Sequence, residues 1–86
     1  MVNGRRSNIQ IIAEILKLGE AGKTEIMYSV NMSYAQLEKY LDFLVEKGFM
    51  TCQNGTRPAV YRITPKGRRL LREIEKVMNT LGVEIW

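Results

Sequence analysis

The segment FMTCQNGTRPAVYRI, residues 49–63, constrains the chain more than any other stretch. FMTCQ and AVYRI are short, β-prone and alternating, and NGTR between them carries the Asn-Gly pair of a tight turn, so the segment predicts a β-hairpin. Before and after it, apolar residues recur at helical spacing instead. A chain of 86 residues can bury only roughly 60 to 65% of the surface it exposes when unfolded, which leaves room for one core. Hairpin and helices must share that core, and the expected organisation is a single domain over residues 1–86.

Ser7 or Asn8 is placed to cap a first helix carrying Ile9, Ile12, Ile15 and Leu16, with Leu18 near its end and Gly19 as its stop. EAGK then reads as a loop through Gly22. A second, shorter helix starts near Lys23 or Thr24 and has Ile26, Met27 and Val30 as its apolar face, and Asn31 and Met32 make the turn that follows. Ser33 with Gln36 three residues on is the capping-box pattern, so a third helix begins there, with Leu37, Leu41 and Leu44 inward and Val45 beside them. Gly48 suits the left-handed position after that helix. Thr64-Pro65 pairs an N-cap with proline at the first helical position and predicts a last helix from Pro65 to about Leu81, near 25 Å long at about 1.5 Å per residue, stopped by Gly82. The fold class is mainly α with a small β-hairpin (α+β), in the element order of a winged helix-turn-helix.

Composition narrows the chemistry. Hydrophobic residues at 45% and charged residues at 26% are ordinary for a globular protein. There is no histidine, a single cysteine, and nine acids spread over surface-like positions, so no catalytic residue, metal site or cofactor is expected. Gly19 and Gly22 lack the flanking strand and Lys-Ser/Thr of a phosphate-binding loop. Cys52, alone, makes no internal disulfide and reads as a small buried hydrophobe in the first strand of the hairpin. Apolar runs such as Ile9–Ala13 are far below the ~20 residues of a membrane span, and MVNGRRSN lacks the apolar stretch of a signal peptide. The expectation is a cytoplasmic protein with no membrane partner.

Lys and Arg number 13 against nine acids, a net charge of +4. Yet SYAQLEKYLDFLVEK, residues 33–47, holds one more acid than base. The positive charge lies elsewhere: no acid stands between Glu46 and Glu73, while Lys47, Arg57, Arg62, Lys66, Arg68, Arg69 and Arg72 do. Lys66, Arg68 and Arg69 fall in the first turns of the last helix, where the macrodipole disfavours cations by ~0.3 to 1 kcal/mol each. A phosphate backbone or a partner's acids would offset that cost. On the third helix, Ser33, Gln36, Lys39 and Tyr40 occupy the first turns, which reach base edges or phosphates when such a helix lies in a groove. Asp42 and Glu46 come later, in the half that leaves the groove. Tyr34 divides evenly between packing and a phosphate contact, and so does Tyr40. Glu38 is expected to meet Arg5 or Arg6, and Phe43 to be covered by the hairpin or the last helix. Lys23 and Thr24, together with Arg5 and Arg6, are candidate backbone clamps, and Arg57 at the hairpin tip is the candidate contact to the minor groove or its phosphates.

KTEIMYSVNMSYAQLEKYLDFLVEKGFM followed by YRITPKGRRLL resembles the archaeal winged helix-turn-helix regulators, including the small 10a-type DNA-binding proteins of crenarchaea, over about residues 5–81. The resemblance implies that KTEIMYSVNMSYAQLEKYL is the helix-turn-helix, that LVEKGF leads into the wing and that YRITPKG opens the last helix. It implies binding of double-stranded DNA as a homodimer, with recognition helix 33–47 in the major groove, wing 54–57 on the backbone or minor groove, and a role as transcriptional regulator or chromatin-associated, nucleoid protein. On that reading residues 5–64 form the DNA-binding core and wing, and residues 65–86 the dimerisation helix and tail. Leu70, Ile74, Val77 and Leu81, in 4-3-4 spacing with Leu71 and Met78 beside them, suit either a coiled-coil seam or packing on the chain's own core. The resemblance favours the seam, and Val83, Ile85 and Trp86, a costly exposed apolar patch in a monomer, are expected to pack on the partner. The rival expectation is a protein-interaction winged helix without direct DNA binding, using Phe43, Asp42, Glu46 and the apolar tail as its surface.

Overall fold

A computed structural model of the protein describes residues 6–53 and 59–82. The elements run α1 (Asn8–Lys17), β1 (Glu20–Gly22), α2 (Lys23–Val30), α3 (Tyr34–Glu46), β2 (Met50–Gln53), β3 (Val60–Ile63) and α4 (Pro65–Leu81). All four predicted helices and both hairpin strands are present, and α4 has the predicted bounds.

The helix ends follow from local chemistry. Ser7 caps α1 through a complete capping box: its hydroxyl accepts from the Gln10 N–H at 3.1 Å, and the Gln10 side chain accepts from the Ser7 N–H at 2.8 Å. The box predicted at Ser33 shows one bond, Gln36 N–H to Ser33 Oγ at 3.2 Å, without the reciprocal one seen at Ser7 and Gln10. Asn31 ends α2 in the left-handed region at φ 56°, and its N–H donates to Met27 O. Thr64 Oγ1 accepts from Gly67 N–H at 3.0 Å and opens α4 ahead of Pro65.

The stretch EAG, read as loop, is a strand. β1 pairs antiparallel with β3 in the register Glu20↔Arg62, Ala21↔Tyr61 and Gly22↔Val60, and β2 pairs with the other edge of β3, giving a three-stranded sheet of order β1-β3-β2. Three residues carry too little alternation to be seen on their own. What makes them a strand is the free edge of β3, whose Ile63 N–H also reaches Gly19 O at 2.7 Å.

One core joins the layers. Ile11, Ile15 and Leu16 of α1, Ile26 and Val30 of α2, Leu37, Leu41 and Leu44 of α3, and Ala21, Met50, Tyr61 and Ile63 of the sheet are all buried together. Each such leucine or isoleucine contributes about 1.5–3 kcal/mol relative to exposure. Leu70 and Leu71 of α4 pack on this cluster, and α4 lies against α1.

Candidate functional site

With Leu37, Leu41 and Leu44 turned into the core, α3 leaves Ser33, Tyr34, Ala35, Gln36, Glu38, Lys39, Asp42, Phe43 and Glu46 exposed. Its first turns therefore present hydroxyl, amide and ammonium groups together with the Glu38 carboxylate, and its later turns present the carboxylates of Asp42 and Glu46.

The start of α4 is clamped to the end of α3. Thr64 Oγ1 donates to Gly48 O at 2.6 Å, the Thr64 N–H donates to Phe49 O at 3.0 Å, and Lys66 Nζ donates to Lys47 O at 2.8 Å while lying 5.0 Å from the centre of the Phe49 ring. Gly48 permits this turn with φ 82°. Lys66 thus sits at the positive end of one helix and the negative end of another, and the carbonyl end of α3 offsets the cost assigned to it from sequence. Arg62 leaves the positive field as well: its guanidinium meets both Glu20 oxygens, at 3.0 and 3.3 Å, and this pairing holds it charged. Arg68, Arg69 and Arg72 stay exposed and have no partner among the described residues.

Several sequence expectations are corrected here. Glu38 meets Lys23, Nζ to Oε2 at 3.4 Å, and not Arg6. Arg6 instead joins Glu14 and the Val30 carbonyl, tying the N-terminus to α1 and to the end of α2. Such pairs depend on which elements cross in space, which spacing along one helix does not reveal. Phe43, expected under the hairpin or the last helix, is 40% exposed. Tyr34 is exposed, with Lys23 Nζ 4.1 Å from its ring centre. Tyr40 is half-buried against the core and donates to Asn8 Oδ1 at 2.7 Å. Thr24 is exposed at the start of α2. Cys52 is half-buried against the core opposite Tyr61, whose phenol pKa is raised by burial and then by the Cys52 beside it. Arg5, Arg57, the wing tip at residues 54–57, and the tail residues Val83, Ile85 and Trp86 lie outside the described residues.

The apolar stripe of α4 divides. Leu70 and Leu71 face the chain's own core and Ile74 and Met78 are half-buried, whereas Val77 is 56% and Leu81 67% exposed. Ile9 of α1, 50% exposed, stands beside Ile74, Val77 and Met78. Sequence spacing grouped Ile9 with the apolar residues of the first helix, and its position next to the outer face of α4 was not visible there.

A family model described as winged helix-turn-helix matches residues 5–82. The chain belongs to the winged helix-turn-helix family. Two uncharacterized proteins of Methanocaldococcus jannaschii are similar to it. MJ0290 is 38% identical over 80 residues, covering 90% of this chain, and this chain spans 36% of that relative's length. MJ0287 is 37% identical over 82 residues, covering 88% of this chain and 80% of its own. Among solved structures, Sso10a-2, a DNA-binding protein from Sulfolobus solfataricus, superposes with TM-score 0.82 at 29% identity, covering 90% of this chain and 83% of its own. MarR of E. coli superposes with TM-score 0.71 at 18% identity over 83% of this chain and 54% of its own, a likeness of winged helix-turn-helix fold alone. The family is not one of enzymes. Among the described residues no cluster of His, Cys, Asp and Glu is placed to hold a metal ion, and no helix is long and apolar enough to cross a membrane.

Proposed function

We propose that this winged helix-turn-helix chain binds double-stranded DNA as a dimer and acts as a transcriptional regulator or chromatin-associated protein. The observation that carries the reading is the exposed face of α3, whose first turns hold Ser33, Gln36 and Lys39, together with an α4 start that is clamped to the far end of α3 and whose Arg68 and Arg69 are exposed with no partner among the described residues. Gln suits adenine edges, and Lys suits guanine edges or phosphate. The Arg side chains supply the backbone contacts, with Arg57 and the wing at 54–57 on the neighbouring backbone or minor groove and Arg5 and Thr24 at the flank. A DNA-binding protein as similar as Sso10a-2 supports the same reading. Residues 5–64 act as the binding core and wing, and α4 with the tail joins two copies through Val77 and Leu81 with Ile9.

An electrophoretic mobility-shift titration with a duplex at two salt concentrations tests this. With about six phosphates engaged, affinity falls roughly a thousandfold between about 50 and 200 mM salt, at a slope near 0.9 per phosphate. A flat dependence contradicts the mechanism. One observation favours a second reading, an adaptor for another protein: Phe43 stands exposed between Asp42 and Glu46, on a surface where a duplex gains nothing from acids. No shift at either salt concentration selects that reading.

A further inference from the structure

Lys23 opens α2, and its side chain is only 15% exposed. Its ammonium lies 4.1 Å from the Tyr34 ring centre and 3.4 Å from Glu38 Oε2. Burial alone lowers its pKa, but the bonds to Tyr34 and Glu38 outweigh burial and the net shift is upward, so Lys23 stays charged at neutral pH. The Lys23 ammonium is thus turned to Glu38 and Tyr34 within the fold. What the cluster presents outward is the carboxylate of Glu38, whose side chain is 51% exposed on the flank of α3 that faces α2, one turn beyond Tyr34. Its second oxygen has no partner among the described residues.

Beside a duplex a carboxylate is repelled by every phosphate; Lys23 offsets this at Oε2, and the other oxygen is left to accept from a donor outside the chain. In the major groove the donors are exocyclic amino groups, and Glu accepts from N4 of cytosine. We propose that Glu38 is a specificity-determining residue, accepting from a cytosine N4 amino group in the major groove, and that Lys23 and Tyr34 position it for this. The inference rests on the DNA-binding reading above.

The test is selection of the full chain on a pool of random duplexes, followed by sequencing and by titration on the enriched site. The wild type enriches a cytosine at one position by roughly tenfold, within the range a good base contact supplies. E38Q keeps duplex binding, loses that cytosine and shifts toward adenine, which an amide suits. K23M weakens the cytosine preference through loss of the anchor, and K23R restores it. An unchanged base preference in E38Q overturns the inference while duplex binding stands. A wild type that retains no duplex overturns the inference together with the DNA-binding reading.

Discussion

Gly67 is the residue whose replacement the structure forbids most directly. It lies in the first turn of α4, where a Cβ would stand 2.1 Å from Phe49 O and 2.8 Å from Ile63 Cγ1. Helix propensity argues the other way, since alanine is better than glycine in a helix by about 1 kcal/mol. The contact is with backbone, which has no rotamer to yield, so overpacking wins. Gly67→Ala destabilises the fold by about 1–3 kcal/mol, read as a lower urea midpoint at unchanged slope. TPKG was legible as a helix opening because Thr64 and Pro65 are local signals. The reason for its glycine was not, because Phe49 is far away in sequence. Glu38 teaches the same: spacing put it on a flank of α3, and only the packing of α2 against that flank chose Lys23 over Arg6 as its partner.

At the level of elements, the run of basic residues before Glu73 separates into two groups with different roles. Lys66 and Arg62 are bonded within the fold, to the end of α3 and to β1, whereas Arg68 and Arg69 project from α4. The double variant Arg68→Ala with Arg69→Ala lowers affinity for all duplexes alike and reduces the salt slope by about two, because two phosphate contacts go. Lys66→Met leaves the slope nearly unchanged and instead lowers the thermal midpoint, because it uncaps α3 and removes the contact with Phe49. Isothermal titration at a series of salt concentrations, beside melting curves, separates the two groups. A salt slope that drops equally in both variants returns Lys66 to the phosphate contacts.

For the whole molecule, the decisive surface is where α1 and α4 leave Ile9, Val77 and Leu81 uncovered. Exposed apolar side chains gathered in one place are costly in a monomer, and a second copy removes that cost. Light scattering at micromolar concentration gives twice the chain mass, and Val77→Glu with Leu81→Glu reduces it to one chain while the helical circular dichroism persists. A single-chain mass for the wild type refutes the dimer. Local patterning was sufficient for the four helices, the N-caps at Ser33 and Thr64 and the two hairpin strands, because period, N-cap residues and glycines that end helices act within a few positions of where they stand. It sufficed equally for the class of the fold, since only one order of elements fitted. Tertiary structure decided what depends on neighbours distant along the chain. The edge of β3 turned EAG into a strand, the end of α3 claimed Lys66, and α1 set Ile9 beside the outer face of α4. Burial and pairing of this kind are properties of surfaces brought together, and no single segment carries them.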